Sequence, residues 1–323
     1  MFINKGRHIK EFSLMPILSA FWQGALHLNN KVNFQPLLEN KELTLSSRHK
    51  QLLLHSNQDV LSDIPFLCFT DSHYPVELQS IPFMPPVLFY RGNLSLLERR
   101  KVAIIGSRYC SERAKKITRH LSYEVGSGGH VIISGLAFGI DEVAHRANLF
   151  NSIGVVPFGF QATCTSRHQK LCDDILEAGG LLLSEFPLHQ PAQKWTFLQR
   201  NRIISGLAEC VVITEARKRS GSLNTAKHAI EQRKEVFTIP WDPLHKDGEG
   251  CRLLLRQGVV PILDLIEWSE QWGILSYLES PQSIENLTFL TKQTRPNVLQ
   301  SLLRLIKEKR ITRRSDGKYE KIH

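Results

Sequence analysis

A doubly wound α/β protein is the fold class this sequence predicts, and three observations predict it. Short apolar runs recur through the middle of the 323-residue chain, at 101–105, 130–133, 154–157, 181–184, 210–214 and 235–239. Runs without polar alternation suit strands buried on both faces, as in a parallel sheet. Each run leads through Gly or Ser into a segment with helical apolar spacing, such as 111–125, 140–150 and 222–233; repeated strand–helix units with right-handed crossovers make an open, doubly wound sheet. The composition, 42% hydrophobic and 22% charged, is globular rather than disordered or fibrous.

Taken in order, residues 1–97 carry apolar side chains at 14, 17, 18, 21 and 22 and a Leu triplet at 52–54. They predict an N-terminal helical cap. Pro65, Pro75, Pro82, Pro85 and Pro86 then break the chain into turns before ValLeuPheTyr at 87–90, an extended connection into the sheet. Residues 98–265 hold the strand–helix units and form the Rossmann-like domain. After Ile266 the pattern changes to helices over 273–279, 283–290 and 296–309, the last with apolar residues at 298, 299, 302, 303, 305 and 306. A hairpin follows with Asp316–Gly317 as its turn. Three helices and a basic hairpin outline a winged helix-turn-helix domain over 273–323.

No apolar run approaches the roughly 20 residues that cross a bilayer, so no membrane partner is expected. Residues 15–22 are too short and broken for a signal peptide. Six cysteines (68, 110, 164, 172, 210 and 251) show no CxxC pair. That usage fits a reducing cytoplasm, and neither a metal nor a cofactor is expected.

The net charge of +10 is unevenly placed: +1 over 1–97, +6 over 98–265, −4 over 266–290 and +7 over 291–323. A basic surplus suits a polyanion partner. Four loops localise that expectation. Gly106, Ser107 and Arg108 follow the first parallel strand, where a glycine exposes backbone N–H groups and an arginine offers a phosphate fork. Ser134 and Gly135 open the second loop, small enough for close approach to a ligand. Asp141 and His145 share the next helical face; they fit an acid–base couple, half a metal site or a local hydrogen-bonded pair, the last being the commonest arrangement.

The third loop, 194–202, combines Lys194, Phe197, Arg200, Asn201 and Arg202 with Trp195. Cations for phosphates and flat rings for bases are what single-stranded nucleic acid requires. The fourth, Arg217–Lys218–Arg219–Ser220–Gly221–Ser222, sets Ser220, Gly221 and Ser222 at a helix N-terminus beside three cations. In an open parallel sheet these loops converge at the carboxyl ends of the strands.

The ordered series ValAlaIleIleGlySerArg (102–108), SerGlyLeuAlaPheGlyIleAsp (134–141), PheLeuGlnArgAsnArgIleIleSerGlyLeu (197–207), ValValIleThrGluAla (211–216) and SerGlySerLeuAsnThrAla (220–226) resembles the DNA-processing protein A (DprA/Smf) family over roughly 60–265. The resemblance implies a cytoplasmic, non-enzymatic protein of natural transformation, competence and DNA recombination. Such a protein binds and protects incoming single-stranded DNA, helps load the RecA recombinase and forms a homodimer. It also implies that Arg108, Lys194, Phe197, Arg200, Asn201 and Arg202 contact the strand, Arg108 and Lys194 as phosphate ligands and Phe197 as a stacking platform. The chain departs from the family's pattern at 159–168, where a Tyr-Pro is missing, and at Arg113, Trp241 and Cys251.

Two other functional classes compete with this one. A phosphoribohydrolase acting on nucleoside monophosphates would carry a Pro-Gly-Gly-x-Gly-Thr loop, which is absent, and Glu215 has no acid–base partner in the sequence pattern. A duplex-DNA regulator would act through the terminal winged helix.

Overall fold

The computed structural model describes residues 64–322, apart from 70, 187 and 279. The helical segments expected before residue 64 lie outside them. Eleven strands and ten α-helices are formed among the described residues. The first part is β1 (Phe66–Cys68), α1 (Val76–Gln79) and β2 (Val87–Gly92). The strand–helix units then run β3 (Lys101–Ile105), α2 (Glu112–Ser127), β4 (Val131–Ser134), α3 (Ile140–Arg146), β5 (Ser152–Val155), α4 (Ser166–Glu177), β6 (Leu181–Ser184), α5 (Lys194–Leu207), β7 (Cys210–Ile213), α6 (Gly221–Glu231), β8 (Glu235–Thr238), α7 (Glu249–Arg256) and β9 (Val260–Pro261). Last come α8 (Leu265–Ser276), α9 (Ile284–Thr291), α10 (Arg295–Lys307), β10 (Ile311–Arg313) and β11 (Tyr319–Lys321).

Nine strands form one sheet in the order β1-β2-β6-β5-β4-β3-β7-β8-β9. The seven strands from β3 to β9 are parallel, whereas β1 and β2 are antiparallel. The expected connection at 87–90 is therefore a full strand, β2, pairing with β6. Every residue of β3, β4, β5, β6 and β7 is buried, in keeping with their largely apolar runs. Pro261, which cannot donate to a ladder, sits in the edge strand.

Helix boundaries follow local chemistry. Ser111 accepts from the Ala114 N–H to cap α2, Thr165 from His168 to cap α4 and Ser220 from Ser222 to cap α6. Gly129 and Gly179, with φ of +83° and +85°, turn the chain just beyond α2 and α4. The strand order reverses between β3 and β7, so their following loops diverge and leave a crevice.

The helix expected over 273–279 begins earlier, at Leu265. Trp268 and Trp272 on α8 pack into the core of the sheet, against Phe237 and His130. Ile274 and Leu275 on its last turn join a separate core with Leu287, Val298, Leu302, Leu305, Ile311 and Tyr319. One helix thus serves two cores. The hairpin forms as expected, with Gly317 at φ +81° and Asp316 accepting from the Lys318 N–H.

Candidate nucleic-acid interface

The crevice between β3 and β7 is an open cleft of about 750 Å³ lined from four directions. The loop after β3 supplies Gly106, Ser107, Arg108 and Tyr109. The start of α5 supplies Lys194, Phe197, Leu198, Arg200 and Asn201. The segment before α6 supplies Arg219, Ser220, Gly221 and Ser222, and Ala137 with Asp141 closes the side.

Arg108 is exposed, and its guanidinium lies 4.6 Å above the Phe197 ring. Lys194 and Arg219 are also exposed. Among the described residues none of these three cations has a carboxylate within ion-pair distance. By contrast Arg217 pairs with Asp247 at 2.5 Å and Lys218 with Glu249 at 3.3 Å. Ser220 caps α6 with its own hydroxyl, and a Cβ added at Gly221 would meet nothing within 4 Å. That first turn is therefore open to an anion. Asn201 ties α5 to α6, donating to Asn224 Oδ1 at 3.2 Å and the Gly221 carbonyl at 3.4 Å.

The first two loops are used differently from the expectation. Gly106 N–H and Gly135 N–H both donate to the Asp141 carboxylate, at 3.3 and 3.2 Å, and Ser107 N–H goes to the Glu215 carbonyl at 2.8 Å. The anion those amides address is internal: Asp141 staples two loops together. Burial pushes its carboxyl up to about 6, against the Arg200 guanidinium and the backbone donors, which pull it down. Arg200 is itself buried and donates to the carbonyls of Gly135 (2.8 Å) and Val155. Burial lowers its pKa to about 10, opposed by Asp141, so it stays charged. It forms the cleft floor rather than a free phosphate ligand.

Three further corrections follow from burial. Ser134 is wholly buried and donates to the Ile104 carbonyl at 2.7 Å, away from the cleft. Arg202 also lies outside it, held bidentately by Glu185 at 2.5 and 2.6 Å. Asp141 and His145 do not pair, since His145 Nδ1 meets Ser152 Oγ at 3.1 Å. The split in 194–202 follows position along α5: Lys194 and Trp195 at its start are exposed, whereas Arg200, Asn201 and Arg202 lie in the stretch 200–207 that is buried at every position.

Sequence reasoning missed Tyr109, 78% exposed at the cleft wall, and Asn224. The signal for Tyr109 was its place directly after the loop arginine. It also missed the partners of Glu215, which is buried and accepts from Ser111 N–H at 2.9 Å and Ser111 Oγ at 2.7 Å, with His245 Nε2 at 2.7 Å. His245 lies 30 residues away, beyond any local pattern.

The family described as DNA recombination-mediator protein A matches residues 65–272. The chain belongs to that family. Among recombination-mediator relatives, it is 40% identical to the DNA processing protein DprA of Bacillus subtilis over 197 residues, 60% of this chain and 66% of the relative. It is 39% identical to Protein Smf of Escherichia coli over 215 residues, 65% of this chain and 58% of the relative. The chain thus spans somewhat under two thirds of these relatives' lengths. The solved structure of DNA processing protein A from Streptococcus pneumoniae superposes with a TM-score of 0.67 at 28% identity, covering 86% of this chain and all of that one. A structure of the Helicobacter pylori protein, described for its single-stranded DNA binding mode, gives 0.60 at 29% identity, over 66% of this chain and 98% of that one.

Arg113 and Trp241, expected from the sequence to depart from the family's pattern, meet in space. The Arg113 guanidinium lies 5.4 Å over the Trp241 ring, and Trp241 stacks on His245 at 4.2 Å while donating to the Thr214 carbonyl.

Proposed function

We propose that the cleft binds single-stranded DNA. The observation that carries this reading is the meeting of three exposed cations without carboxylate partners among the described residues, Arg108, Lys194 and Arg219, with the rings of Phe197 and Tyr109 in one cleft. Phosphates would lie on the cations and on the open turn at Ser220–Gly221–Ser222, bases on the rings. Asn201 ties the walls and Arg200 forms the floor. A duplex hides its base faces in the stack, so exposed rings reward a single strand. The Helicobacter pylori relative supports the same ligand class.

On this reading the protein is a non-enzymatic, cytoplasmic DNA-processing factor. It protects incoming strands during natural transformation, helps load RecA and works as a homodimer. The three C-terminal helices and hairpin act as a winged helix giving auxiliary contact. No helix among the described residues is long and apolar enough to cross a membrane.

The test is oligodeoxythymidine binding by anisotropy between roughly 50 and 200 mM salt, for wild type and Arg108→Ala, with duplex as comparison. Loss of a charge-assisted contact at an exposed site weakens binding about tenfold, and losing one phosphate contact flattens the log–log salt slope by about 0.7. An unchanged affinity and slope for Arg108→Ala would remove the cleft from consideration, and tighter duplex than single-strand binding would transfer the role to the C-terminal unit.

A further inference from the structure

Beyond the cleft mouth, three side chains form a layered stack. The ring of Phe138, from the loop after β4, lies 4.5 Å from the His168 ring at an interplanar angle of 20°. Arg167 places its guanidinium 4.6 Å over the same Phe138 ring. We propose that Phe138, His168 and Arg167 form a second stacking station that receives the single strand as it leaves the cleft, an inference resting on the single-strand reading above.

Continuity with the cleft is built in by close backbone packing. Ile140 N–H donates to the Ser107 carbonyl at 3.2 Å, and a Cβ at Gly139 would meet the carbonyl oxygens of Ser107 and Arg108 at 2.4 and 2.5 Å. Phe138 is therefore one residue from direct contact with the backbone of Arg108. His168 is near enough that, besides burial, Arg108 and Arg200 disfavour its protonation. Half-buried rings and exposed cations thus run from Phe197 through Arg108 to His168, Phe138 and Arg167.

The chemistry suits a base. Arg167 is held over the Phe138 ring and paired with Glu142 at 2.6 Å, yet its side chain is 62% exposed. A guanidinium plane or an imidazole face stacks on any nucleobase without reading its sequence. Docking of α4 does not require the stack, because Thr165 caps that helix and Arg146 joins Glu142 to Asp174 at 3.1 and 2.9 Å.

The test compares oligodeoxythymidines of about 4 and about 16 nucleotides, the two ends of the site sizes of single-strand grooves. Wild type, Arg167→Ala and His168→Ala are measured with each, and thermal melts check folding. Arg167→Ala leaves Glu142 its Arg146 partner, so the fold is expected to persist. Both variants should bind the short strand within about twofold of wild type and the long strand roughly tenfold more weakly. Equal losses at both lengths, or none at either, overturn the station while leaving the cleft in place. Failure of wild type to bind either strand refutes the cleft reading, and the station with it.

Discussion

Replacing Arg202 separates the two fates of the basic cluster on α5. Its side chain is 4% exposed and that of Glu185 2%. Two short hydrogen bonds join them, and the guanidinium also donates to the carbonyls of Phe83 at 2.9 Å and Gln199 at 2.8 Å. Arg202→Ala would leave Glu185 with the Gln199 amide at 3.2 Å as its remaining side-chain donor. An orphaned buried charge costs about 3–5 kcal/mol. At about 2–4 °C per kcal/mol for a domain of this size, the melting temperature should fall by roughly 10 °C. The assay is thermal and urea unfolding, with oligodeoxythymidine binding measured at a temperature where the variant is folded. Binding should then match wild type. Replacing both partners, Arg202→Met with Glu185→Leu, should recover most of the stability, because the charge and its desolvation disappear together. An unchanged melting temperature with a tenfold loss of DNA affinity would refute the reasoning and return Arg202 to the interface.

The remaining predictions concern the cleft and its supports. Tyr109→Ala should weaken single-strand binding roughly tenfold by anisotropy without changing the melt, since a stacked base is worth about 1–3 kcal/mol and the ring is 78% exposed. Gly139→Ala, at φ +85° and against the Ser107 and Arg108 carbonyls, should cost at least about 1–3 kcal/mol in urea titration and weaken DNA binding by displacing Arg108. Stability should also fall with acid. Burial pushes His130 down to about 4 and His145 to about 3, whereas both titrate near 6.5 when unfolded. The unfolded chain therefore takes up protons that the folded chain refuses, so this stability is complete above pH ~6.5 and lost below it, at about 1.4 kcal/mol per pH unit for each histidine. Asp141, raised to about 6 from 3.8, acts in the opposite sense between those values. The net slope between pH ~4 and ~6 is about 1.4 kcal/mol per unit from these three groups. Urea midpoints from pH 6.5 to 5 check it, and His145→Gln should flatten the slope by up to about 1.4 kcal/mol per unit, one histidine's share.

The architecture was legible in the sequence because a strand buried on both faces must be apolar along its run, and 102–105, 181–183 and 210–213 are. The capping serines and the convergence of loops at the carboxyl ends were legible for equally local reasons. Topology then put Arg108, Lys194, Phe197 and the turn at Ser220 around one cleft. What no local pattern carried was the use of each polar group. Gly106 and Gly135 spend their amides on Asp141, up to 35 residues away in sequence, and Arg202 finds Glu185 across 17 residues. Those partnerships arise only when the sheet brings distant segments together. By itself the sequence determined the fold class, the placement of the loops and the chemistry available in them, since periodicity and residue type are local properties. Only the tertiary structure decided which cations face solvent and which are consumed inside, because burial and charge pairing depend on neighbours remote in the chain.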